Sequence, residues 1–529
     1  MVGYRSWFRH IVVIVLATPI LSTAHTTLIS FSVQPSAAEP PQCNPAPQTW
    51  TAFSGPGTTT VLPFLLTDGT VMVNDGNVNW WILTPDLYGC YANGNWKPVT
   101  APMPAGYSPS DFASAILPDG RVAIAGGEYN NNIHVDTNLG AIYDPVVNQW
   151  APISPPATGT VVWPNIGDAA SVILPNGTFM VSGIQSYSSP MGLIFLNPTS
   201  YSWTTAMTTT KTEVSTEEGW TLLPNGSVLD VDIYLNQSDT YNPSTNIWTQ
   251  TAIPVPLGDT NCEESGPAIL RPNGTVLALG ATGNTAIYST STNTWSAGPV
   301  IPNGLVVTDG EAAILPNGNV FFAATPPQPS PTCFGTNPQF FEFDGVTPFI
   351  PRSQPPDPYI SHYFTQGIHM LVLPTGQLFV SMGSSNLQEY LYTAAGTYLN
   401  AWRPTITNVP AVLVRGHASY AIQGKQFNGM TQATSFGDEY QNATNYPLAR
   451  ITNSHSGHVR YVRTHAFSSM GVATGSAIVS AQFDIPTNIE IGASTFEVVA
   501  NGIPSVAVNV NVECTADGIF CDGFEQIVW

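Results

Sequence analysis

The chain has 529 residues, of which 43% are hydrophobic and 9% are charged. This composition excludes a disordered chain, because it supplies enough apolar surface to build a large core. The 34 acidic residues outnumber the 13 basic ones and give a net charge of −21. Nucleic acid is therefore not expected as a partner, and an anionic membrane surface is a poor one, since both require clustered positive charge.

Residues 1–38 have the order of a secretory signal peptide. Arg5 and Arg9 precede an apolar run over residues 11–20, and small residues follow at 36–38. We therefore expect cleavage and a secreted, periplasmic or cell-surface location, with an uncleaved anchor as the alternative. No other stretch of the sequence is apolar enough to predict a membrane span.

Six cysteines in an exported chain predict three disulfides. Several connectivities are possible. The pairing of sequence neighbours is Cys43–Cys90, Cys262–Cys333 and Cys514–Cys521. A zinc site is not indicated, because the cysteines lack the CxxC spacing of such sites.

A Pro-Asp/Asn-Gly phrase, or a close variant of it, recurs seven times between apolar runs. The phrases begin at Thr67, Pro118, Pro175, Pro224, Pro272, Pro316 and Pro374. A short turn with glycine between two β-rich runs predicts an antiparallel hairpin. The phrases lie between 44 and 58 residues apart, and such units predict an all-β, seven-bladed propeller whose blades bury their faces against one another. We expect a strand around Trp50 to complete the last blade.

A tryptophan follows each of the first five turns, and three of them end a related phrase. These phrases are YDPVVNQW from Tyr143, YNPSTNIW from Tyr241 and YSTSTNTW from Tyr288. Together with GGEYN from Gly126 they resemble kelch repeats, which implies that residues 39–402 form a kelch propeller.

After Trp402 the period stops, and alternating strands over residues 403–511 predict an immunoglobulin-like sandwich. Propeller and sandwich together resemble the galactose oxidase and glyoxal oxidase superfamily over roughly residues 50–511. Residues 512–529 form a short tail that contains cysteine.

The resemblance makes the position seven residues before each turn diagnostic. These positions hold Thr60, Asp111, Asp168, Glu217, Ser265, Asp309 and Gly367. In the superfamily this position carries a cysteine in the second unit, the tyrosine cross-linked to it in the third, and a Tyr-His pair in the last. This sequence has Asp111, Asp168 and Gln366–Gly367 at those places. A copper-radical cofactor is therefore not expected. One family feature matches: Thr464–His465 corresponds to the Thr-His pair that the sandwich sends up the channel.

The acids of this register are expected to line one cavity at the channel mouth. Adjacent carboxylates raise one another's pKa or recruit a cation. We therefore predict a catalytic set of Asp111, Asp168, Glu217, Asp309 and His465, and a divalent-cation site, such as Ca²⁺, from Asp168, Glu217, Asp309 and His465. Glu218, Glu263, Glu264 and Glu311 are neighbouring acids. Alternatively, the carboxylates only accept backbone hydrogen bonds that tie the blades together.

These observations favour an exported propeller that binds or acts on a neutral extracellular ligand, a glycan among the candidates, at an acidic mouth. The first alternative is a non-catalytic adhesion or scaffold propeller. The second alternative is a copper oxidoreductase with a rearranged site. The sequence contains no GxSxG, HExxH, P-loop or dinucleotide fingerprint.

Overall fold

Short antiparallel sheets make up most of the regular structure. The computed structural model describes residues 43, 45–183, 192–207, 210–211, 215–383, 386–437 and 439–514. The predicted signal peptide and all but residues 512–514 of the predicted tail lie outside these ranges. Within them the only helices are the 3₁₀ turns Pro302–Gly304, Ile360–His362 and Asn400–Trp402. None of the helices in the described part of the chain is long and apolar enough to cross a membrane.

Seven successive sheets, which we call blades one to seven, cover the chain up to Thr393. Blade one contains Pro63–Leu65, Val71–Asn74, Trp80–Thr84 and Asn95–Pro98; blade two contains Ala113–Ile116, Val122–Ala125, Gly140–Asp144 and Gln149–Ile153. Blade three contains Ser171–Ile173, Phe179–Gly183, Gly192–Leu196 and Trp203–Met207; blade four contains Thr221–Leu222, Val228–Val231, Gln237–Asn242 and Ile247–Ala252. Blade five contains Ala268–Leu270, Thr275–Leu279, Thr285–Ser289 and Thr294–Ala297; blade six contains Glu311–Ile314, Val320–Ala324, Gln339–Phe343 and Ile350–Arg352. Blade seven contains His369–Val372, Leu378–Ser381, Gln388–Thr393 and Thr49–Ser54.

The predicted hairpins join the innermost strand of each blade to the second strand. Each turn contains a glycine with a left-handed backbone, as at Gly69 (φ 76°) and Gly318 (φ 86°). A side chain is strained in that conformation, so the glycine of the repeated phrase is required by the turn itself.

The Tyr-led phrase is explained by packing between the two outer strands of a blade. Tyr143 is paired with Trp150 in the strand register, with ring centroids 5.1 Å apart. The Tyr143 hydroxyl donates a 3.0 Å hydrogen bond to the side chain of Asn148 in the intervening turn. Tyr241 and Tyr288 repeat both contacts.

Strand Thr49–Ser54 closes the ring. It pairs antiparallel with Gln388–Thr393, so the beginning of the described chain supplies the outermost strand of blade seven. The Trp50 ring packs against Phe340 and Tyr392, at centroid distances of 5.5 and 5.0 Å. The expected closure around Trp50 is therefore confirmed.

Strands from Thr405 onward form two more sheets. One contains Thr405–Asn408, Tyr420–Lys425, Val479–Phe483 and Thr464–His465. The other contains Val412–Val414, Leu448–Asn453, Val459–Val462, Gly492–Ala500, Ile503–Pro504 and Val508–Glu513. Phe483 and Phe496, one from each sheet, pack with centroids 4.9 Å apart in the core of a β-sandwich.

One strand of this segment leaves the sandwich. Thr434–Phe436 pairs with the innermost strand of blade six and adds a fifth strand to that sheet. The sandwich segment therefore sends a loop into the centre of the ring.

Five short strands of the described chain lie outside the blades and the sandwich, in two small sheets. Pro109–Ser110, Tyr129–Asn130 and Ile133–His134 form a three-stranded sheet beside blade two, and Ala157–Thr158 pairs with Val161–Val162.

Two of the three predicted disulfides fall on described residues. The bonds Cys43–Cys90 and Cys262–Cys333 are both present, as predicted from sequence order. Cys514 is also disulfide-bonded, and its predicted partner Cys521 lies outside the described residues.

Candidate functional site

The predicted acids all lie just before the innermost strand of a blade. Because the innermost strands surround one axis, residues that precede them meet at the same end of the channel, which we call the mouth. The hairpin turns lie at the opposite end, the turn end. At the mouth the backbones of Asp111, Glu217 and Asp309 are left-handed, with φ of 54°, 55° and 44°. Non-glycine residues adopt this conformation rarely and at a cost of about 1–3 kcal/mol.

Blades two and three bring Asp111, Glu128 and Asp168 together. The Glu128 backbone N–H donates to the Asp111 carbonyl oxygen at 2.9 Å. Burial raises the pKa of Asp111 to about 6, and the Asp168 charge adds to the rise. Burial also raises the pKa of Glu128 to about 7, with further contributions from Asp168 and Asp111. These two carboxyl groups therefore titrate closer to neutral pH than ordinary acids do.

Blades four, five and six bring Glu217, Glu264 and Asp309 together. One carboxylate oxygen from each lies within 4.8 Å of the others. Asp309 is 1% exposed and Glu264 is 8% exposed, whereas Glu217 is half-buried. Burial and the charges of nearby acids, Asp168 among them, raise the pKa of Glu264.

The backbone holds these three blades in register. The Asp309 N–H donates to the Ser265 carbonyl oxygen at 2.8 Å. The Ser265 hydroxyl donates to the carbonyl oxygens of Glu217 at 3.2 Å and Gly437 at 3.0 Å. Ser265 lies seven residues before the turn of blade five, where blades two, three, four and six have an acid. It joins the backbones of its neighbours by hydrogen bonds, and the preceding Glu264 supplies the carboxylate.

The loop that rises through the channel ends at the mouth. The Gly437 N–H donates to the Gly310 carbonyl oxygen at 3.0 Å. The Tyr440 hydroxyl accepts a 2.8 Å hydrogen bond from the Asp111 N–H. Glu439 is buried, and its charge contributes to raising the pKa of Tyr440, after burial and the Asp111 charge. The sandwich segment therefore contributes Glu439 and Tyr440 to this site.

His465 lies at the turn end, so its expected position at the mouth is corrected. The adjacent Thr464 N–H donates to the carbonyl oxygen of Thr67, which begins the blade-one turn. The imidazole Nε2 is 3.0 Å from an Asp484 carboxylate oxygen within the sandwich. The innermost strand of blade one separates this position from the mouth, because Thr60 precedes that strand and Thr67 follows it. The Thr-His match in the sequence could not show that the channel is entered by the segment around Thr434–Phe436 and not by Thr464–His465.

Two other neighbouring acids point away from the carboxylate clusters. Glu218 accepts a 3.1 Å hydrogen bond from Lys211, which is fully buried against Trp248 of blade four. Glu311 lies deeper in the channel, where it accepts a 2.6 Å hydrogen bond from the Met370 N–H. Burial raises the pKa of Glu311 to about 8. His369, 4.0 Å from Glu311, is packed within its strand, and burial lowers its pKa to about 3.

Tyrosines lie beside both groups of acids. Tyr129 follows Glu128, whose charge raises the pKa of the Tyr129 hydroxyl, with smaller contributions from burial, Asp111 and Glu217. Tyr234 is 48% exposed, and burial of its hydroxyl and the charge of Glu263 raise its pKa to about 12. The mouth therefore combines carboxylates with partly exposed aromatic rings.

A cavity of about 580 Å³ lies elsewhere, between blade one and the sandwich. Its walls include Leu66, Leu87, Val459 and Ile489. It lies on the turn-end side of the ring, since Thr67 also lines it. None of the predicted site residues lines this cavity.

No protein-family model matches this sequence, and no curated protein is similar to it at a significant level. Solved structures are similar in fold. A fungal alcohol oxidase of the AA5 family, solved in complex with copper, has 14% identity and a TM-score of 0.50, with 88% of this chain and 99% of that chain covered. The virginiamycin B lyase of Staphylococcus aureus has 12% identity and a TM-score of 0.45, with 66% of this chain and 99% of that chain covered. The likeness to the alcohol oxidase concerns the fold alone. The fold and the position of the site define a β-propeller with an acidic channel mouth.

Proposed function

We propose that this protein is an exported kelch-type propeller with an immunoglobulin-like, galactose-oxidase-like sandwich, and that its mouth binds a neutral, hydroxyl-rich extracellular ligand. A glycan is the favoured class. The observation that carries the proposal is the convergence of Asp111, Asp168, Glu217, Glu264 and Asp309 at one end of the channel beside Tyr129 and Tyr234.

The chemistry of the mouth suits sugar hydroxyls. Ionised carboxylates are strong hydrogen-bond acceptors, and each can accept from more than one hydroxyl. Tyrosine rings offer flat apolar faces together with a polar edge. The concentrated negative charge disfavours anionic ligands, so a neutral ligand is expected.

An exported location agrees with the covalent structure. The disulfides Cys43–Cys90 and Cys262–Cys333 are of the kind that persists in oxidising compartments. Together with the signal-like residues 1–38, they support a secreted, periplasmic or cell-surface protein.

A second candidate function is acid–base catalysis on a glycosidic bond. It is favoured by one observation, the raised pKa values of Asp111 (about 6) and Glu128 (about 7). A carboxylic acid that holds its proton near neutral pH can protonate a leaving oxygen, while a nearby ionised carboxylate activates water or attacks the sugar. Asp168, whose charge acts on both groups, would be the second carboxyl group of the pair.

Binding to a panel of soluble neutral oligosaccharides tests the proposal. We expect saturable binding by wild type and at least tenfold weaker binding by an Asp168→Asn/Glu217→Gln double variant, about 1.4 kcal/mol or more. Glu513→Gln, which changes an exposed acid of the sandwich, should bind as wild type does. Absence of binding to every sugar would contradict the glycan assignment and favour a scaffold role. Shortened oligosaccharides in the same samples would support the catalytic candidate.

A further inference from the structure

We propose that Glu217, Glu264 and Asp309 form a Ca²⁺ site at the mouth. This inference goes beyond the proposed ligand site, because it requires no glycan and has its own readout. The ligand set predicted from the sequence is Asp168, Glu217, Asp309 and His465. Glu264 takes the place of Asp168, which is not among the three clustered carboxylates, and His465 is excluded because it lies at the turn end.

The first argument is geometric. Three successive blades each offer one carboxylate oxygen, and these oxygens lie within 4.8 Å of one another. Oxygens that coordinate one Ca²⁺ at 2.3–2.6 Å are separated by no more than about 5 Å. The hydrogen bonds of Ser265 to the backbones of Glu217 and Asp309 hold the backbones that carry these side chains together.

The second argument is that Glu264 has a buried carboxylate oxygen without a hydrogen-bond partner in the described part of the chain. The residue is only 8% exposed, yet its Oε2 atom has no hydrogen-bond partner among the described residues. A buried carboxylate oxygen without a partner is costly, so a ligand that satisfies it is expected. The Asp309 side chain is within hydrogen-bonding reach of Glu264, and the other charges acting on Glu264 come from the acids Asp168, Asp259 and Glu263.

The third argument concerns the class of cation. Three carboxylates are hard oxygen ligands, and neither cysteine nor histidine belongs to the cluster. Such a set favours Ca²⁺ or Mg²⁺ over zinc or copper. Ca²⁺ is the better match, because its coordination is flexible and leaves positions for water or for ligand hydroxyls, whereas Mg²⁺ demands near-octahedral geometry.

Calorimetric titration of the metal-stripped mature protein with CaCl₂ tests this site. We expect one site with a Kd of about 10⁻⁴ to 10⁻³ M, the range of extracellular Ca²⁺ modules. Glu264→Gln should weaken binding about tenfold or more. The matched control is Glu263→Gln. Glu263 is the residue before Glu264 and its side chain lies outside the cluster, so this variant removes the same charge without removing a ligand. That control should retain binding within about twofold.

Four outcomes would overturn the proposal. They are no Ca²⁺ binding by wild type up to about 10 mM, equal losses in Glu263→Gln and Glu264→Gln, unchanged binding in Glu264→Gln, or preference for Mg²⁺. If Glu264→Gln fails to fold, Glu217→Gln replaces it, because Glu217 is only half-buried. Calcium binding without sugar binding would support this site and contradict the proposed function. Sugar binding without calcium binding would support the proposed function and contradict this site.

Discussion

The backbone N–H of Asp111 donates a 2.8 Å hydrogen bond to the hydroxyl of Tyr440. Asp111 belongs to blade two, and Tyr440 follows the strand that the sandwich segment adds to blade six. The bond therefore joins elements 329 residues apart in the sequence. It places the end of the channel loop against the acids whose pKa values are raised to about 6 and 7, Asp111 and Glu128.

Tyr440→Phe should lower the free energy of unfolding by about 1 kcal/mol, because it removes one buried hydrogen bond while the ring remains. The Tyr440 hydroxyl also lowers the pKa of Asp111, so that pKa should rise above about 6 in the variant. Urea unfolding and the pH dependence of ligand binding measure the two effects. Tyr420→Phe is the control, since its hydroxyl accepts a 3.0 Å bond from the Val414 N–H within the sandwich. A shift of the pH profile in Tyr420→Phe as well would contradict a local effect.

Glu311→Gln should flatten the pH dependence of stability. The pKa of Glu311 is about 8 in the folded protein and near 4.5 when unfolded. Between these values the folded state holds a proton that the unfolded state has lost, so the free energy of unfolding falls as pH rises. Removing this group should reduce that fall by about 1.4 kcal/mol per pH unit between about pH 5 and 7. Glu389, whose pKa is also about 8, should maintain part of the slope.

Denaturant unfolding at several pH values checks this prediction. Glutamine can still accept the bond from the Met370 N–H, so the variant should fold. The control is Glu513→Gln, which alters an exposed acid. The same slope in Glu311→Gln and wild type would show that this carboxyl group does not titrate as described.

Trp50→Ala should destabilise the ring by about 2–3 kcal/mol, below the usual range for a fully buried tryptophan because Trp50 is half-buried. The lost contacts with Phe340 and Tyr392 hold the closing strand on blade seven. We therefore also expect faster proteolysis between residues 45 and 60. Trp203→Ala, on the outer strand of blade three, should destabilise the protein without exposing this segment. Unchanged cleavage in Trp50→Ala would contradict the closing role.

Copper loading should produce neither a thioether-linked tyrosine nor radical absorption. The diagnostic positions hold Asp111, Asp168 and Gln366–Gly367, and four of the six cysteines form Cys43–Cys90 and Cys262–Cys333. Peptide mapping after incubation with copper is the measurement, and a Cys-Tyr cross-linked peptide is the result that would refute it.

The sequence by itself determined the repeating unit of this protein. Each of the seven turns needs a left-handed glycine. In blades two, four and five a tyrosine also packs against a tryptophan across the strand and bonds an asparagine in the turn, so these residues recur with the period of the repeat. The expectation that acids such as Asp111 and Asp309 lie at the same end of the channel follows from the same regularity.

Only the tertiary structure decided which side chains meet. Glu264, next to the expected register position, completes the carboxylate cluster because Ser265 is used to bridge three backbones. Tyr440 reaches Asp111, whereas His465 remains at the turn end. These contacts join residues far apart in the chain, and their geometry depends on how blades and sandwich pack, which no short-range pattern in the sequence encodes.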